Sequence, residues 1–223
     1  MTVPAVNFLV PLTSPRDDES VVFSTRLYAL RTTLSTSKGR RWSADMSQRM
    51  SLAAYLSAEE TNRPQELAFG LLREPPAPGF DHQIIVGRIH VALDRHVRRY
   101  RLGDVVESPV DVILDRKRAL VVQPDVVFIS KDRREISAGR IWGAPALVVE
   151  VLSTFRRRHD QGTKVRWYRQ YGVRECWIVD PVEKTVEVLD LASEGARTFE
   201  GLQLIRSLVL PRLRMRADSA FAA

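Results

Sequence analysis

Four segments in close succession organise this chain: V-Q-P-D-V-V-F (122–128), A-P-A-L-V-V-E-V-L-S (144–153), D-Q-G-T-K-V-R-W-Y (160–168) and G-V-R-E-C-W-I-V-D (172–180). Two carboxylates, Asp125 and Glu150, sit inside apolar, strand-like runs, and Lys164 follows on a helical segment. Placing a charge in such a run is unfavourable unless the charge is paired or binds a metal. Three such groups in this order point to a built site rather than to a generic core. Each also has a structural reading: Pro-Asp is a common turn pair, a Glu can occupy an exposed strand edge, and Lys164 lies four residues after Asp160 as in a surface helix pair.

Outward from these segments the pattern is mixed. Residues 146–152 read as a buried strand, 160–171 as a helix capped by Asp160, and 175–180 with 185–190 as a hairpin across 181–184. Trp167, Tyr168 and Tyr171 are expected to pack the helix on the sheet, with base stacking as the alternative. Residues 119–129 contain a strand, and Pro124 within it marks an edge, a bulge or a strand end. Upstream, 51–58 is a short helix, 65–72 a first strand, and 75–79 a proline-rich turn. Asp81 is the expected N-cap of a helix over 82–101, with Ile85, Ile89, Leu93, Val97 and Tyr100 as its buried stripe and Leu102-Gly103 as its stop. His90 and His96 are expected at the surface. Residues 108–114 read as a strand, 115–118 as a charged turn, 130–141 as a polar loop and 204–213 as a closing strand. The fold class is α/β, a central mixed sheet flanked by helices.

The 223 residues suit one domain, and 44% hydrophobic residues support a packed core. Residues 1–48 differ in character and read as an N-terminal extension ahead of a domain over 49–223. They are either a genuine basic extension or sequence that precedes a start at Met46 or Met50. A net charge of +7 favours an acidic partner such as nucleic acid, the alternative being arginines that only solvate the surface. The single cysteine, Cys176, excludes an intrachain disulfide and reads as a small core hydrophobe, consistent with a cytoplasmic protein. No apolar run approaches the ~20 residues that span a bilayer.

Metal-assisted phosphodiester hydrolysis needs a nucleophilic water, charge stabilisation at phosphorus and assistance to the leaving group. Mg2+ takes oxygen ligands and keeps several waters, so one or two carboxylates suffice, with Mn2+ as a substitute. Asp125, Glu150 and the carbonyl of Val151 are the expected metal ligands, and Lys164 the group that orients water or stabilises the transition state. The run Arg156-Arg157-Arg158 lies between Glu150 and Lys164, where it either holds a phosphate backbone or is a solvated loop.

The combination P-D-V-V-F, A-P-A-L-V-V-E-V-L-S, D-x-G-x-K and Y-x-x-x-Y-G-V-R-E-C-W-I-V-D-P resembles the Uma-two family of restriction-endonuclease-like proteins, within the PD-(D/E)XK nuclease superfamily. The resemblance covers roughly residues 46–221. It implies that Asp125 is the motif aspartate, Glu150 the second acid, and Lys164 a lysine moved to the following helix, since Leu152 stands where the superfamily lysine usually lies. It also implies that Glu66, in P-Q-E-L-A-F-G, is an additional acid near the metal. His82 matches the family histidine at the start of the long helix, as a cap, a phosphate contact or a catalytic group. The chain departs from the family pattern at Gln65, Ala146, Thr154-Phe155 and Cys176, none of which removes the three main groups. The expected function is Mg2+-dependent endonucleolytic hydrolysis of nucleic acid, DNA above all, with a homodimer possible for two-strand cleavage. The alternative is an inactive module of the same fold that binds nucleic acid or a partner.

Overall fold

The elements of the computed structural model, in chain order, are α1 (Leu52–Leu56), β1 (Glu66–Ala68), β2 (Leu71–Arg73), α2 (Phe80–Tyr100), β3 (Gly103–Glu107), β4 (Val112–Asp115), β5 (Leu120–Val122), β6 (Val126–Ser130), β7 (Ser137–Ala138), β8 (Arg140–Trp142), β9 (Leu147–Val151), α3 (His159–Tyr171), β10 (Glu175–Asp180), β11 (Thr185–Asp190) and β12 (Ala196–Glu200). The structure describes residues 49–59, 61, 63–153 and 159–221; the expected extension over 1–48 and the arginine run 156–158 lie outside them.

The strands form two mixed sheets. The larger has the order β12-β11-β10-β9-β6-β3, and the smaller β2-β1-β5-β4-β8-β7. In the larger sheet β9 and β10 are parallel, and α3 is the crossover between them. The side-chain period of two divides each central strand between two cores. Val126, Phe128, Leu147, Val149 and Val151 join the α2 stripe on one face. Val127, Ile129, Val148 and Leu152 pack on the other with Trp167 and Tyr168 of α3 and with Val112, Leu120 and Val122 of the smaller sheet. A third cluster, Tyr55, Leu67, Ile113 and Val121, seats α1 on the outer face of that smaller sheet.

In α2, Ile89, Leu93 and Val97 are fully buried, and burial of each stabilises the fold by about 1.5–3 kcal/mol. Gly79 rather than Asp81 is the N-cap, and Asp81 lies in the first turn. Tyr100, expected on the stripe, is exposed, and His96, expected at the surface, is buried, its Nε2–H donating to the Pro211 carbonyl at 3.1 Å. His90 is half-buried beside Glu107 at 3.6 Å. The stop falls where expected: Arg101 is left-handed at φ 51° and Leu102 N–H donates to Val97 O. Gly103 is required, since a Cβ there would lie 2.0 Å from the Ile129 carbonyl oxygen.

Other expectations are corrected by tertiary pairing. The expected single strand 65–72 is a hairpin, β1 to β2, that turns at Phe69 and Gly70, both with positive φ. Residues 119–129 are two strands in different sheets, because Pro124 ends the first and Asp125 precedes the second. Residues 108–114 shrink to β4, while β3 over Gly103–Glu107 and β12 appear where no strand was expected. The polar loop 130–141 contains a 3-10 turn, Lys131–Ile136, and β7 with most of β8. The closing segment is not a strand: it has one bridge, Leu204 with Arg216, and contributes Ile205, Leu210 and Leu213 to the core.

Candidate active site

β6 and β9 pair antiparallel with Val126 opposite Val149, so Asp125 and Glu150 occupy the next positions along the two strands. Because Val149 and Val151 face α2, Glu150 faces α3. There its Oε1 and Oε2 accept from Lys164 Nζ at 3.2 and 3.3 Å, and Oε1 accepts from the Tyr168 hydroxyl. Lys164 and Tyr168 are four residues apart on α3, which places them on one helix face. Glu66, in β1 of the smaller sheet, reaches the same ammonium at 2.7 Å and accepts from the Gln123 N–H at 3.1 Å. The site therefore lies where the two sheets and α3 meet.

Asp125 is oriented by its surroundings. Its Oδ2 accepts from the Val151 N–H at 2.7 Å and lies 3.4 Å from His82 Nε2. That nitrogen also donates to the Val151 carbonyl at 3.1 Å, while His82 Nδ1 is buried and has no hydrogen-bond partner among the described residues. His82 thus bridges the first turn of α2 to Asp125 and Val151, rather than capping the helix. These groups line one cavity of about 430 Å3, whose wall includes Pro75, Pro76 and Pro78 of the proline-rich turn.

The electrostatics follow from packing three carboxylates around one ammonium. Burial pushes the Glu150 carboxyl up, Lys164 opposes this, and Asp125 and Glu66 add to it; the result is about 7. Burial alone would lower Lys164, but Glu150 and Glu66 outweigh it and hold the ammonium well above its ordinary value. Burial raises the Tyr168 phenol, and Glu150 and Glu66 reinforce the effect. Burial lowers His82, yet its contact with Asp125 prevails and raises it above the usual histidine value.

This donor set fits a hard cation. The carboxylates outnumber the ammonium, and Asp125, Glu150 and the Val151 carbonyl are all oxygen donors. Among the described residues no group of three or more His, Cys, Asp and Glu side chains is arranged to hold a metal by itself. Such a site suits an ion that completes its shell with water and substrate oxygens, as Mg2+ does.

The structure brings together Asp125, Glu150, Val151, Lys164, Glu66 and His82 from the sequence-derived set. Arg156, Arg157 and Arg158 lie outside the described residues. Helix α3 begins at His159, so Asp160 is in its first turn rather than at the cap. Two groups were missed. For Tyr168 the sequence offers packing or base stacking but not a hydroxyl that donates to Glu150, although its spacing from Lys164 is the available signal. Gln123, whose backbone holds Glu66, stands beside the Pro-Asp pair with no pattern of its own.

Among the described residues no helix is long and apolar enough to cross a membrane. No curated protein matches the chain. Among solved structures, one that matches is the crystal structure of "a putative nuclease belonging to DUF820" from Anabaena variabilis ATCC 29413, with a TM-score of 0.67 and 18% identity, covering 78% of this chain and 98% of that one. At that identity the likeness establishes the α/β fold. The model of the Uma2 family, described as "Putative restriction endonuclease", matches residues 52–218, and with most of its length so matched the chain belongs to that family.

Proposed function

We propose that the protein is a Mg2+-dependent endonuclease that hydrolyses phosphodiester bonds of DNA. The observation that carries this reading is the Lys164 ammonium held at 2.7 Å by Glu66 and at 3.2 Å by Glu150 on the wall of a cavity shared with Asp125. Asp125, Glu150 and the Val151 carbonyl would hold the ion. When bound, Mg2+ acidifies a water and neutralises charge at phosphorus.

The protein's own groups then have separate tasks. Asp125 is prevented from turning away by the Val151 N–H and His82. Glu150 is aimed by Tyr168 and Lys164. Lys164, kept protonated by its carboxylates, presents a positive charge to the phosphoryl oxygens as negative charge grows there. Glu66 keeps that ammonium in the cavity. His82, whose Nε2 is engaged by Asp125 and Val151, acts through those groups rather than on phosphate, and Arg156, Arg157 and Arg158, which lie between Glu150 and Lys164 in the sequence, would supply cations to the phosphate backbone.

Incubation of supercoiled plasmid with purified protein tests the proposal. Nicking is expected with Mg2+ or Mn2+, and is lost in EDTA and in Glu150→Gln. Absence of cleavage by the wild type on duplex DNA, single-stranded DNA and RNA would overturn it.

A further inference from the structure

Beside the candidate site, four side chains from three parts of the chain stack in a continuous row. The Arg73 guanidinium carbon lies 5.6 Å from the Trp167 ring centroid. Trp167 meets Phe69 edge to face, at 5.5 Å and 89°. The Arg118 guanidinium carbon lies 4.5 Å from the opposite partner, Phe69. From the same turn as Arg118, Arg116 sits 4.3 Å from the Trp142 ring.

One end of the row borders the cavity. Arg73 is the register partner of Glu66 across the β1–β2 hairpin, and Trp167 follows Lys164 by about one turn of α3. Glu66 and Lys164 line the cavity itself. The other end is a built turn. Asp115 Oδ1 accepts from the N–H groups of Lys117 and Arg118 at 2.9 and 3.0 Å, and its Oδ2 accepts from Tyr171 at 2.8 Å. This carboxylate organises the turn, which presents three successive exposed cations, Arg116, Lys117 and Arg118.

We infer that this arginine–aromatic row, from Arg73 to the turn bearing Arg116 and Arg118, is a surface that follows the phosphate backbone of nucleic acid leaving the cavity. The inference rests on the nuclease reading above. A guanidinium held over a ring loses little further freedom on binding, and its in-plane N–H donors match phosphate oxygens. One guanidinium already lies over Trp167 and one over Phe69, the two rings meet edge to face, and Trp167 is buried, so the row offers cations rather than open ring faces to a passing strand. The surface therefore reads phosphates and not sequence, and its affinity falls steeply with salt.

The test is fluorescence anisotropy of the full-length protein with a labelled random-sequence DNA duplex in EDTA, where metal-dependent cleavage is stopped, over a range of salt. In Arg116→Gln/Arg118→Gln, affinity is expected to fall about tenfold at low salt. The slope of log affinity against log salt is expected to drop by about two, roughly 0.9 for each lost phosphate contact. Arg116→Lys/Arg118→Lys retains most of the slope, and Arg197→Gln, on the exposed edge strand β12, leaves both quantities unchanged. If the wild type binds and the double glutamine variant matches it, the row is not the surface and the nuclease reading stands. If the wild type binds neither duplex nor single strand, the nuclease reading falls and the inference with it.

Discussion

Lys164 Nζ lies closer to Glu66 Oε1, at 2.7 Å, than to Glu150 Oε1, at 3.2 Å, although Glu66 belongs to the smaller sheet and lies almost a hundred residues upstream. The lysine thus joins the smaller sheet to the larger one. Glu66 is held in turn by Gln123 N–H, whose side chain accepts from Gln65 N–H at 3.0 Å and donates to Asp111 at 2.9 Å.

Removal of that cation leaves mutually repelling carboxylates. Lys164→Met is expected to destabilise the metal-free protein by on the order of 3 kcal/mol, measured by urea unfolding, and to abolish nicking. Added Mg2+ should recover part of the stability but none of the cleavage.

Tyr168 orients Glu150 without reaching the cavity wall itself. Tyr168→Phe keeps the packed ring and removes only the donor, so a loss of about 1 kcal/mol is expected. The diagnostic measurement is Mg2+ affinity by calorimetry, which should weaken while the far-UV spectrum is unchanged.

Glu175 is a buried carboxylate with a different task. It is fully buried, accepting from Trp177 Nε1 at 2.7 Å and from the Leu208 N–H, and so ties the closing segment to β10. Glu175→Ala orphans both donors and is expected to cost about 3 kcal/mol. Metal affinity of the folded fraction should be unchanged, which separates this acid from Glu150.

His96 makes stability depend on pH. Burial lowers its affinity for a proton, only partly offset by the bond to the Pro211 carbonyl, with Arg99 acting in the same direction as burial. Because the folded value lies below the ordinary 6.5, the unfolded chain takes up the proton first. The His96 contribution is complete above pH 6.5 and is lost as pH falls toward the folded value. His82 and Glu150, both raised, act in the opposite direction over the same range, so the measurement is the difference between thermal melts of the wild type and His96→Gln from pH 7.5 to 5, which should narrow as pH falls.

Much of the larger sheet was legible because its signals are local. The apolar runs around Asp125 and Glu150, the α2 stripe and the β10–β11 hairpin each carry a period or a turn within a few residues. Of the smaller sheet, the β4–β5 hairpin across the charged turn 115–118 was legible, but its other strands are two or three residues long, and the pairings of β1 with β5 and of β4 with β8 join segments distant in the chain. The same holds for the closing segment, whose apolar residues enter the core from irregular backbone.

The sequence alone determined the chemical inventory: two acids in apolar runs, a lysine on the following helix, an early glutamate, and an order that marks the family. Their types and spacing are properties of the chain, since solvation cost and periodicity act along it. Only the tertiary structure decided which groups meet. Pairing of β6 with β9 set Asp125 beside Glu150, and the docking of the smaller sheet delivered Glu66 to Lys164. These are contacts over long sequence separations, fixed by how two sheets bury their faces against one helix rather than by any local preference.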